Sequence, residues 1–160
     1  MNIEIIPAYH RKEEIRTLFV EYTQLLTDED AEFRDYLTIQ HYDEELEHPE
    51  QKYHFPEGRL YMALCDGEIA GCAALRKLDK HRCEIKRLYV REKYRGNGIG
   101  SLLTDRLIRD ARQIGYRHLL LDTVPFLERA VAMYQARGFR EIEKYNDSPM
   151  ASTIYMVLDL

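Results

Sequence analysis

The sequence has few cysteines, no long apolar run and no excess of positive charge, and each shortage excludes a class of protein. Its three cysteines, Cys65, Cys72 and Cys83, show no C-x-x-C spacing and cannot all pair with one another. Neither a disulfide framework nor a thiolate metal site is indicated, and they read as small buried hydrophobes. His10, His41, His48, His54, His81 and His118 show no metal-ligand spacing, so no metal is expected. No stretch approaches the roughly 18 apolar residues of a membrane span. The opening "MNIEIIPAYHRKEEIR" has no basic segment followed by an apolar run, which makes a cytoplasmic location the expectation. A formal charge of −5 argues against nucleic acid or an anionic membrane as the main partner and favours a small-molecule or cationic substrate. Linkers, internal repeats and low-complexity tracts are also missing. The 160 residues, 45% hydrophobic and 32% charged, therefore read as a single domain over 1–160, monomer or homodimer.

Periodicity supplies the elements. "NIEIIP" is a strand, and Ile15, Leu18, Phe19, Tyr22, Leu25 and Leu26 lie on one face of a following helix. From Thr27 to Pro56 the chain is dense in Asp, Glu and His; Phe33, Tyr36, Leu37, Tyr42 and Leu46 mark a second helix, whose acidic side reads as a solvated face. Asp66-Gly67, between "RLYMALC" and "EIAGCAALRKL", is a hairpin turn. In the next strand, "RCEIKRLYV", the alternation slips: Cys83 and Ile85 share one parity, Leu88 and Val90 the other. A β-bulge there would bring both pairs to the core face. An amphipathic helix after the glycines ends at Gly115. The strand "HLLLDTV", a helix around Phe126 to Arg137, and strands near "FREIEKY" and "STIYMVLDL" complete the order βα(α)βββαβαββ. This is an α/β chain with a mixed, mostly antiparallel central sheet flanked by helices.

Three of the eight glycines fall at alternate positions in Arg95-Gly96-Asn97-Gly98-Ile99-Gly100, just before that helix. A strand, a Gly-rich turn and a helix start leave main-chain N–H groups unpaired at the positive end of the helix dipole, an anion cradle suited to a pyrophosphate, to which Arg95 adds a charge. A P-loop would need Lys-Ser/Thr after the last glycine, but Ser101-Leu102 follows. A dinucleotide fingerprint needs G-x-G-x-x-G directly after a strand, but here the spacing is even and Arg91 to Arg95 intervene.

R-x-x-G-x-G after a strand ending "LYV" resembles the signature of the GNAT family of N-acetyltransferases. A second stretch, "LLLDTVPFLERAVAMYQARGF", is similar to the family's later strand and helix with A-x-x-x-Y and G-F. The resemblance extends over about Ile3 to Leu160 and is densest from Glu84 to Phe139.

The resemblance implies the acyl-CoA N-acyltransferase fold and attack of a primary amine, on a small molecule or a protein, at the thioester of acetyl-CoA through a tetrahedral intermediate. It places the pyrophosphate on Arg95, Gly96, Asn97, Gly98, Ile99, Gly100 and Ser101. It places the pantetheine and thioester oxygen on a splayed strand at Leu88 and Val90. Tyr134 matches the family's proton donor to the departing thiolate; a phenol of pKa about 10 can serve, although Tyr134 also fits the apolar helix face with Leu127, Ala130 and Val131. Glu84 matches a general-base glutamate, with pairing to Lys86 or Arg87, or orienting the substrate ammonium, as the alternatives. Tyr145 and Asn146, in a tail that resembles a bacterial subgroup, are candidates for the acceptor pocket beside ordinary turn chemistry. Leu127 stands where many members carry an asparagine. Arg129 and Arg137 are candidates for the adenosine phosphates or simply solvated. The acidic stretch Asp28 to Glu50 would suit a cationic amine. A non-catalytic acyl-CoA sensor, using Arg95 to Gly100 but not Glu84 or Tyr134, is the alternative function.

Overall fold

A computed structural model describes every residue from Met1 to Leu160. The elements are β1 (Ile3–Pro7), α1 (Lys12–Glu29), α2 (Phe33–Ile39), α3 (Tyr42–Glu47), α4 (Pro49–Lys52), β2 (Arg59–Cys65), β3 (Glu68–Lys77) and β4 (Arg82–Val90). After a 3-10 turn at Glu92–Tyr94 come α5 (Ile99–Ile114), β5 (His118–Thr123), α6 (Glu128–Ala136), β6 (Arg140–Ile142) and β7 (Ile154–Asp159). The strands form one sheet in the order β1-β2-β3-β4-β5-β7-β6. Every neighbouring pair is antiparallel except β4 and β5. That parallel pair needs a crossover, which α5 provides.

Each face of the sheet is covered because β2, β3 and β5 are largely apolar and buried on both sides. On one face Ile99, Leu103, Leu107 and Ala111 of α5 pack on Ala63, Ala73, Leu75, Cys83 and Ile85. On the other, Ile15, Leu18 and Phe19 of α1 meet Leu60, Met62, Cys72 and Ala74. The three cysteines are free and buried. The β2–β3 hairpin turns through Asp66 (φ 50°) and Gly67 (φ 83°), positive angles that a tight primed turn requires. No helix is long and apolar enough to cross a membrane.

The second helix expected between Thr27 and Pro56 is instead three short ones, α2, α3 and α4. The chain turns at His41, in the left-handed region with φ 55°, and restarts at Pro49, whose missing N–H costs nothing at a helix start. Nor is the acidic side of this segment wholly solvated: Glu45 is 3% exposed. The strand at "FREIEKY" shortens to Arg140–Ile142.

The phase slip in β4 is a bulge. Cys72 pairs with Tyr89 but Ala74 with Lys86, so β4 carries one extra residue there, and Arg87 takes φ 58°. Past the bulge, Leu88 and Val90 rest against the same core as Cys83 and Ile85.

Candidate active site

The parallel pair opens at the bulge. β5 pairs with β4 only at Arg82↔His118, Cys83↔Leu119 and Glu84↔Leu120. From Ile85 onward the β5-facing edge of β4 has no strand partner. A cavity fills the gap, with Gln40, Lys86, Arg87, Asp122 and Tyr134 among its walls. It adjoins an outer cleft of about 580 Å³, a size that suits a small-molecule site, and Tyr22, Leu88, Leu127 and Ala130 line both.

The glycine loop forms the floor of the cleft. None of the main-chain N–H groups from Gly96 to Ser101 donates to an acceptor in the protein. Gly96 (φ +82°) and Gly98 (φ +78°) hold left-handed conformations that give the loop its curl. Arg95 Nε donates to Val90 O at 2.9 Å, which ties the guanidinium to the end of β4 beside the cleft. Gly100 and Ser101 also line it. The Asn97 side chain turns back to Tyr94 O at 3.0 Å, and Asn97 is not among the residues lining the cleft; the Ile99 side chain is buried in the core. Leu88 and Val90 form the adjoining wall. Arg129 lines the cleft from α6, whereas Arg137 is paired with Asp105 at 2.7 Å.

Tyr134 is 5% exposed and reaches the inner cavity from α6. Its ring packs edge-on against Phe139, and its hydroxyl makes no hydrogen bond within the protein. Burial, with smaller contributions from Tyr22 and Asp122, raises its pKa far above the ordinary phenol value, so the group stays protonated.

Glu84 lies on β4 just outside the cavity walls and is 2% exposed. Its Oε2 accepts from the Tyr145 hydroxyl at 2.5 Å, and Oε1 is buried without a hydrogen bond, 3.7 Å from Arg76 Nη1. The expected alternative pairing with Lys86 or Arg87 does not form, because Asp122 and Glu45 stand nearer those cations. Tyr145 and Asn146 lie in the loop before β7, behind the cavity. Asn146 Nδ2 donates to Asp122 Oδ2 and Tyr36 Oη, both at 2.8 Å, and its Oδ1 accepts from Tyr155 at 2.9 Å.

The sequence reading missed Tyr36, Gln40, Lys86 and Asp122. Tyr36 also donates to Asp122 Oδ2. Burial by itself would raise the Asp122 pKa; Lys86, the hydrogen bonds from Tyr36 and Asn146, and Arg87 outweigh it and hold the carboxyl below its ordinary value. Lys86 gave no signal of its own, since Arg82, Glu84 and Arg87 are charged residues of the same strand. Nothing in the sequence pairs Asp122 with Tyr36, 86 positions away.

Comparison with known proteins gives a consistent picture. The family model described as "Acetyltransferase (GNAT) family" matches residues 16–139. An uncharacterized N-acetyltransferase of Schizosaccharomyces pombe is 35% identical over all of this chain and 95% of its own length. A GNAT acetyltransferase of Staphylococcus aureus superposes with a TM-score of 0.77 at 23% identity, covering 99% of each chain. A GNAT acetyltransferase of Elizabethkingia anophelis, solved with acetyl-CoA bound, matches 65% of this chain and 77% of its own, with a TM-score of 0.56 and 27% identity.

Proposed function

This chain belongs to the acetyltransferase (GNAT) family, and on that premise we propose that it transfers an acetyl group from acetyl-CoA to a primary amine. The observation that carries the reading is the run of undonated N–H groups from Gly96 to Ser101, at one end of a cleft that continues along the unpaired edge of β4 to Tyr134. A diphosphate is the anion such a run accommodates, with Arg95 beside it. The relative solved with acetyl-CoA supports that co-substrate. Leu88 and Val90 then flank the pantetheine arm, and the free edge of β4 supplies main-chain donors for the thioester oxygen.

In the proposed reaction the amine nitrogen forms a bond to the thioester carbon, and the C–S bond breaks from the tetrahedral intermediate. The amine gives up one proton and the departing sulfur gains one from the Tyr134 hydroxyl, so protons balance. Glu84 receives the amine proton through an intervening water, since Tyr145 holds Oε2 and only Oε1 lacks a hydrogen-bond partner.

The test is thiol release from acetyl-CoA across an amine panel, with coenzyme A binding measured in parallel. Amine-dependent release is the expected result. Tight coenzyme A binding with no release on any amine would replace this reading with a non-catalytic acyl-CoA sensor.

A further inference from the structure

The inner cavity has hydrogen-bonding capacity that its own walls do not satisfy. The Lys86 side chain is 5% exposed, yet its ammonium makes no hydrogen bond in the protein, and its carboxylate neighbour, Asp122 Oδ1, is 3.9 Å away, beyond hydrogen-bond length. Its other contact is the face of the Tyr36 ring, 5.7 Å to the centroid. Gln40 adds a second donor: Oε1 accepts from Arg87 Nη2 at 2.9 Å, while Nε2 is buried with no partner. Both side chains line the cavity. Buried donors without acceptors are costly, and a buried ammonium is the costliest.

The surrounding charges are already committed. Arg87 is neutralised by Glu45, which also takes Lys52 at 2.7 Å. Asp122 Oδ2 is occupied by Tyr36 and Asn146, which leaves Oδ1 and the Lys86 ammonium as a loose, half-satisfied pair facing the cavity. A lone anion placed there would meet Asp122, and a lone ammonium would meet Lys86. A molecule that carries both charges close together satisfies both.

We propose that the acceptor is an α-amino acid, its carboxylate held by Lys86 Nζ and Gln40 Nε2 and its amino group by Asp122 Oδ1. The inference rests on the acetyl-transfer reading above and names its substrate class. A single carbon separates the two charged groups of an α-amino acid, which matches the short span between Lys86 and Asp122. In an ω-amino acid the charges are several bonds apart, and both cannot engage this pair. The remaining walls, Leu26, Phe33, Val124 and Met150, suit an apolar side chain.

The experiment is calorimetric titration of L-leucine, L-methionine, leucinamide and isoamylamine into full-length protein saturated with coenzyme A, followed by thiol-release assays with acetyl-CoA. The acids are expected to bind about 10- to 100-fold tighter than the amide or the amine, the worth of a charge-assisted hydrogen bond in a buried site. Lys86→Met is expected to abolish that difference. Equal binding of acid and amide by the wild-type protein overturns the proposal, whatever the folding of the variant. Amine-dependent thiol release without carboxylate preference also overturns it and leaves acetyl transfer standing. Acid-selective binding with no thiol release supports the site and overturns acetyl transfer.

Discussion

Arg87 and Glu45, 42 positions apart, form a two-pronged buried ion pair, with Arg87 Nε 2.7 Å from Glu45 Oε2 and Nη2 2.9 Å from Oε1. Arg87 is the bulge residue, in the left-handed region. The pair therefore fastens α3 to the point where β4 leaves β5. Removing only the carboxylate strands a charged guanidinium in the interior. Glu45→Gln should lose about 3–5 kcal/mol of stability in urea unfolding and raise KM for acetyl-CoA as the bulge relaxes. Replacing both residues with Met should cost much less, and equal losses in the single and double variants would refute this account of the bulge.

Acid stability should report the same contact. Burial acts to raise the Glu45 pKa, but Arg87 and Lys52 prevail and bring it down to about 2. The folded value lies below that of an unfolded glutamate, about 4.3. The contribution is therefore fully present above pH ~4.3 and is lost as pH falls towards 2, about 3 kcal/mol in all. Urea midpoints between pH 6 and 2.5 should fall for the wild type, and Glu45→Gln should lack this component. Identical slopes would assign the acid sensitivity to other carboxylates.

Tyr134→Phe separates chemistry from packing. The hydroxyl has no protein partner, and a phenylalanine keeps the edge contact with Phe139, so Tm should barely move. Turnover should fall on the order of 10²-fold, the usual contribution of a general acid. Retention of kcat would remove Tyr134 from the mechanism.

Glu84→Gln should lower kcat by about 10²-fold at neutral pH while leaving coenzyme A affinity unchanged, since Glu84 does not line the cleft. Tyr145→Phe frees Oε2 and should have the smaller effect. A full-rate Glu84→Gln enzyme would mean that the amine proton leaves by another route.

Gly98→Ala should weaken coenzyme A binding measured by calorimetry. A Cβ there meets no atom within 4 Å, so the cost is conformational: φ +78° is unfavourable for alanine by about 1–2 kcal/mol. The loop escapes that cost by uncurling and turning its N–H groups away from the cleft. Unaltered affinity would show that curl to be dispensable.

The order of strands and helices, the hairpin at Asp66-Gly67 and the bulge in β4 were legible because each is a local pattern: a period, a turn dipeptide, a slip in phase. The glycine loop was legible for the same reason, since its spacing is a statement about backbone conformation. The short helices α2 to α4 were harder to read because their breaks rest on a left-handed histidine and a proline within a stretch dense in Asp, Glu and His. Gly71 passed as an ordinary strand residue. Only the β3–β4 pairing at the bulge shows that a Cβ there would stand 2.3 Å from Tyr89 O.

The sequence by itself determined the acetyltransferase family, the alternation that builds the sheet and the backbone that curls around Gly96 and Gly98, because those are properties of neighbouring residues. Tertiary structure alone decided that Glu45 turns inward to Arg87, that Tyr145 covers Glu84, and that Lys86 faces Asp122 across an opening. These contacts join side chains from helices, strands and loops tens of positions apart, and they exist only once the chain has folded and the sheet has parted at β4 and β5.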